Sequence, residues 1–125
     1  MKSDSVYLTH ILTCIGRIEE NVAGGRDAFF ASHTLQDAVL RNLQTMAEST
    51  QRLSAEGKAA RPQVDWRALS GFRNVLVHNY LGIDLDQVWA TVQRDVPELK
   101  AVVRAWAAET VEPPSREGPE PGAIS

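Results

Sequence analysis

Between Arg73 and Tyr80 the chain reads Arg-Asn-Val-Leu-Val-His-Asn-Tyr, an Arg-x4-His-x-Tyr string inside an otherwise apolar helical stretch. No other segment gathers a fixed cation, a carboxamide, an imidazole and a phenol so tightly. At about 100° per residue on a single helix, Arg73 and Tyr80 would lie two turns apart and about 20° from alignment. Asn74 and His78 would form an i,i+4 pair on their flank, so that all four side chains fit a wedge of roughly 160°. Arg73 offers a planar fork of N–H donors that matches phosphate geometry. His78 is of the side-chain type that takes up and returns a proton near neutral pH. Asn74 has both a donor and an acceptor with which to orient a substrate or the imidazole.

These parts suit cleavage of RNA without a metal. The 2′-hydroxyl of RNA supplies the nucleophile. His78 would assist it as a base or protonate the leaving oxygen, and Arg73 would hold the phosphate and its developing charge. The reaction needs a proton acceptor and a proton donor, whereas one helix supplies one histidine. Two copies of the helix meeting in a homodimer would supply two, with Val77, Leu81 and Leu69 as the apolar flank of the contact. The alternative is a non-catalytic helical binding module that holds a nucleotide without cleaving RNA. A solvated helix face with no role in chemistry is the blandest reading of the same residues.

The elements that must position the wedge are helical. Leu8, Ile11, Leu12, Ile15, Ile18 and Val22 recur at three- and four-residue steps, so the spacing predicts an amphipathic helix over 4–22, stopped by Gly24-Gly25. Asp27 to Phe30 read as a short turn that lays two phenylalanines on the core. A helix from about 35 to 53 presents Leu35, Val39, Leu43 and Met46 on one side, and residues 57–64 read as a loop. Asp65 is a plausible N-cap for the motif helix, expected to run to Tyr80 or Leu81 with Gly82 ending it. Asp84 and Gln87 resemble a capping box that opens a further helix through Val88, Trp89 and Val92, and a last helix is expected over 97–108 behind Pro97. No alternating strand pattern and no repeat occurs. The expectation is an all-α bundle of four to five helices over residues 1–109, then a disordered Pro/Glu-rich tail over 110–125.

At 125 residues and 43% hydrophobic content, the chain can bury a single-domain core. Its net charge is −3, of which −2 falls in the tail, so the helical part is nearly neutral. A nonspecific nucleic-acid binder carries a basic excess, so any contact with RNA must rest on a local patch. The lone Cys14 cannot staple the domain and reads as a small buried hydrophobe in a reducing compartment. No apolar run reaches membrane-span length, and Asp4 and His10 interrupt the faintly signal-like N-terminus, so the cytoplasm is the expected location. His10, His33 and His78 are scattered, and no metal-binding, dinucleotide or Walker motif is present. No metal or cofactor is therefore expected.

The string Gly71-Phe72-Arg73-Asn74-Val75-Leu76-Val77-His78-Asn79-Tyr80, followed by Ile83-Asp84 and Val88-Trp89, resembles the HepT-like branch of the HEPN superfamily. Asp37-Ala38-Val39-Leu40-Arg41-Asn42-Leu43 and Asp65-Trp66 extend the resemblance, which covers roughly residues 4–106. It implies an all-α, dimeric, metal-independent ribonuclease toxin of a type VII-like toxin–antitoxin pair. Arg73, Asn74 and His78 are then the ribonuclease residues. Tyr80 matches the motif tyrosine that a minimal nucleotidyltransferase antitoxin, MntA-like, modifies with AMP. Glu48 falls at an acidic position common in the family.

Overall fold

The computed structural model describes residues 3–110. Among these residues the secondary structure is entirely helical. In chain order the helices are α1 (Asp4–Val22), α2 (Arg26–Phe30), α3 (His33–Gln51), α4 (Ala55–Ala59), α5 (Trp66–His78), α6 (Leu85–Ala90) and α7 (Val96–Thr110). A 3₁₀ turn, Tyr80–Gly82, follows α5, and a π-helical stretch, Thr91–Asp95, joins α6 to α7. Long helices pack in the order α5, α3, α1, α7, with α3 sandwiched between α1 and the motif helix. The α6–π–α7 rod closes the bundle, so four rods and two short helices form the expected all-α bundle.

The core follows from the three- and four-residue spacing. Leu8, Ile11, Ile15 and Ile18 of α1 meet Val39, Leu43 and Met46 of α3, and Val88, Leu99, Val103 and Trp106 close the other side. Cys14 is buried with them, and burial pushes its thiol pKa up, partly offset by the charge of Arg17. The thiol thus behaves as packing. Phe29, fully buried, packs against Phe30 and Trp89, which is the covering role expected of the turn after Gly24-Gly25. That turn opens on Gly25 at φ +96°, a conformation glycine adopts without a Cβ penalty.

Caps set several boundaries. The Ser32 hydroxyl accepts from Leu35 N at 3.1 Å, so α3 begins at His33, two residues before the apolar stripe that suggested its start. Ser54 Oγ accepts from Gly57 N at 3.0 Å, and residues 57–59 of the expected 57–64 loop are instead part of α4. Asp4 accepts from both Ser54 N and Ser54 Oγ, at 2.9 and 2.7 Å, tying the start of α1 to the start of α4. Asp65 caps α5 as expected, accepting from Ala68 N at 2.9 Å, and Asp84 caps α6 through Asp86 N at 2.9 Å.

The last helix, Val96–Thr110, lies close to the expected 97–108 but is joined to α6 without a break. Pro97 lacks an N–H and its ring would strike the carbonyl of Gln93 in a regular α-helix. The chain avoids the break by widening: Val96 N donates to Thr91 O, a π register that absorbs one extra residue, and the rod runs unbroken to Thr110. Residues 111–125, where the disordered tail was expected, lie outside the described residues. None of the described helices is long and apolar enough to cross a membrane.

Gly57 marks the tightest approach in the bundle. A Cβ there would fall inside the Trp106 ring, and Trp106 is itself buried between Trp66 and the Arg61 guanidinium, 4.0 Å from the ring centre. Gly57→Ala should therefore destabilise the domain by about 1–3 kcal/mol despite alanine's higher helix propensity. Chemical denaturation checks this, and an unchanged midpoint would show that Trp106 has room to yield.

Candidate active site

Helix α5 is seated by one side. Leu76 is buried, Leu69 and Phe72 pack partly buried against the core, and Trp66 anchors the start by donating its indole N–H to Lys58 O and Arg61 O. With 100° per residue, this leaves Asn74, Val75, Val77 and His78 on the outward face, and all four are exposed. Arg73 lies on the flank turned toward α3.

There its guanidinium is shared. Arg73 Nη2 contacts Glu48 Oε2 at 3.4 Å, and Nη1 donates to Asn74 Oδ1 at 3.3 Å. Gln44 Nε2 donates to the same Glu48 oxygen at 3.3 Å. These contacts are longer than the roughly 2.7–2.9 Å of a tight charge-assisted bond, and a partly exposed pair of this kind contributes at most about 1 kcal/mol. Glu48 thus orients the arginine without saturating it. Arg73 Nε is buried without an acceptor, and N–H groups remain for an incoming anion.

His78 is the last residue of α5, exposed, with no side-chain hydrogen bond among the described residues. The structure brings Arg73 and Asn74 into contact and places His78 on the same outward helix, one turn beyond Asn74.

Tyr80 departs from the expected wedge. The motif helix does not reach Tyr80 or Leu81: Asn79, at φ −137° and ψ 44°, leaves the helical region, and Tyr80 begins the 3₁₀ turn. The Asn79 side chain packs where a Cβ on Gly82 would sit, so a larger residue at Gly82 would have to displace it. Tyr80 therefore does not stack over Arg73. Its hydroxyl donates to Asp37 Oδ1 at 3.0 Å, near the opposite end of α3 from Glu48. The rise from residue 37 to 48 is about 16 Å, which separates the two anchoring points. Partial burial, then the hydrogen bond to Asp37 and its negative charge, raise the phenol pKa, so Tyr80 is a neutral donor at physiological pH.

Exposed apolar side chains flank His78 on both sides. Leu81 is 97% exposed and Val75 46%, with Val77 and Tyr80 also open to solvent. Of the three residues expected to flank a contact with a second copy, Val77 and Leu81 are exposed, whereas Leu69 packs against the core. The α3 partners of the motif, Asp37, Gln44 and Glu48, were only partly anticipated, Glu48 alone having been singled out. The signal that could have found them is a polar stripe at helical spacing through Asp37, Arg41, Gln44 and Glu48. Among the described residues no group of three or more His, Cys, Asp or Glu is placed to hold a metal ion.

Fold and motif together define an all-α bundle of HEPN type. The model of the family described as "Ribonuclease HepT-like" matches residues 11–106, and the chain belongs to that family. Among curated proteins, the chain is 36% identical over 100 residues to a Methanocaldococcus jannaschii protein named "Gamma-glutamylcyclotransferase and putative RNase". That match covers 79% of this chain but only 45% of that longer protein. It is 32% identical over 100 residues to the "Probable ribonuclease HepT" of Thermococcus cleftensis, covering 79% and 91% of the two chains. A Caldanaerobacter subterraneus subsp. tengcongensis protein named "Putative RNase" is 30% identical over 105 residues, covering 83% and 94%. No solved structure matches the chain.

Proposed function

We propose that this protein is a metal-independent endoribonuclease, the toxin of a toxin–antitoxin pair, active as a homodimer and silenced by nucleotidylation of Tyr80. The observation that carries this reading is the meeting of Arg73 with Asn74 on a helix that also presents an unpartnered His78, in a chain of a ribonuclease family. Arg73 binds the scissile phosphate and stabilises the charge that builds on its oxygens. His78 moves a proton at the attacking 2′-oxygen or the leaving 5′-oxygen, and Asn74 holds the Arg73 fork in position. One subunit supplies one imidazole. A second copy docked over Val75, Val77 and Leu81 brings the other, so that acceptor and donor come from different chains.

Tyr80 stands two residues past His78, exposed beside the fully open Leu81. An AMP group attached there adds a phosphodiester charge and a nucleoside beside the imidazole and in the path of the second subunit. The block thus acts at the His78 end of the site, since the Tyr80 hydroxyl is anchored on Asp37, far along α3 from the Arg73–Glu48 contact. The partner that installs it is an MntA-like minimal nucleotidyltransferase. The test is incubation of purified full-length chain with RNA in excess chelator: cleavage is expected, and its lasting absence at high protein concentration would favour a helical module that binds without cutting.

A further inference from the structure

We infer that the cleft on the α1 side of Arg73 is a nucleoside subsite, which seats the RNA residue next to the scissile phosphate. This rests on the ribonuclease reading and goes beyond it by naming what lies next to the cut. The cleft, about 470 Å³, opens between α1 and the C-terminal half of α3, with Tyr7, His10, Thr45, Glu48, Arg52 and Arg73 on its walls. That volume falls within the roughly 300–1,000 Å³ of small-molecule sites, suited to one nucleotide.

Three features point to a nucleotide. First, the cleft is continuous with the motif, because Arg73 is both its wall and the proposed phosphate ligand. Second, its charge is local and positive: Arg52, at the C-cap of α3, has no acidic partner among the described residues. Glu48, the one carboxylate on the wall, already faces Arg73. A chain with net charge −3 can meet a polyanion only through such a patch. Third, Tyr7 and His10 stand edge to face, ring centres 6.1 Å apart at 85°, so two flat rings of different orientation border the space. Single-stranded RNA is held by stacking of unpaired bases on such rings while arginines follow the backbone. Thr45 adds direction: its hydroxyl hydrogen is committed to Arg41 O at 3.1 Å, so toward a base it can only accept.

The experiment measures binding separately from cleavage. Full-length protein is titrated with each nucleoside 3′-monophosphate and with inorganic phosphate, by calorimetry and by NMR of the imidazole signals. At least one nucleotide should bind about tenfold or more tighter than phosphate and shift the His10 signals. Arg52→Gln, on an exposed helix end that cannot threaten the fold, and Tyr7→Leu, which keeps the apolar contact, should each weaken nucleotide binding about fivefold or more. Both should raise KM for RNA more than they lower kcat. Nucleotides binding no tighter than phosphate, or parental binding in both variants, overturns the subsite. Variant-sensitive nucleotide binding by a chain that never cuts RNA would sustain the subsite and sink the ribonuclease reading. Cleavage whose KM ignores both variants would do the reverse.

Discussion

Replacing His78 by alanine is expected to lower RNA cleavage by about 10²- to 10⁴-fold, the usual contribution of a positioned general acid or base. The thermal transition should barely move. His78 ends α5, is exposed, and has no side-chain partner among the described residues, so its loss leaves neither a cavity nor an orphaned buried group. Surface changes of that kind fall within about 0.5 kcal/mol. Leu76, two residues earlier and 1% exposed, provides the contrast: truncation there would act through folding, at about 2–5 kcal/mol. Parental cleavage rates or growth inhibition in His78→Ala would remove the imidazole from the mechanism.

Tyr80→Phe should separate toxicity from its control. The phenol donates one hydrogen bond, to Asp37 on a solvated surface, and losing it costs about 1 kcal/mol or less. Cleavage should persist because Arg73, Asn74 and His78 are untouched. On the proposed control, the variant should lack the hydroxyl that accepts AMP. Co-expressed with the cognate nucleotidyltransferase, the parent chain should gain AMP by mass spectrometry and stop cutting, whereas Tyr80→Phe should gain none and stay fully active. A variant that is silenced equally well by the same partner would show that control does not pass through this hydroxyl.

The long helices were legible because each is an amphipathic stripe read at one period. The bounds of α1, Asp4–Val22, are those the stripe suggested, and Asp65 caps α5 as its side chain allowed. Position within the motif was less legible. Whether Tyr80 continues the helix turns on the backbone of Asn79 and on the fit of its side chain against Gly82, and neither leaves a periodic mark. The last helix begins at Val96, one residue before the expected start at Pro97, whereas the π stretch that joins it to α6 leaves no mark in the sequence. Glu48, Asp37 and the cleft residues Tyr7, His10 and Arg52 reach the motif from other helices. Those juxtapositions exist only once α3 is packed between α1 and α5.

The most direct measurement compares two short oligonucleotides in excess chelator, one all RNA and one with a single 2′-deoxy residue at the position where the RNA is cut. If His78 and Arg73 act on RNA's own 2′-hydroxyl, the RNA strand is cleaved to a 2′,3′-cyclic phosphate and a 5′-hydroxyl, and the substituted strand stays intact at that position. Equal cleavage of both strands there would contradict the mechanism, because the nucleophile would then have to come from somewhere other than the substrate.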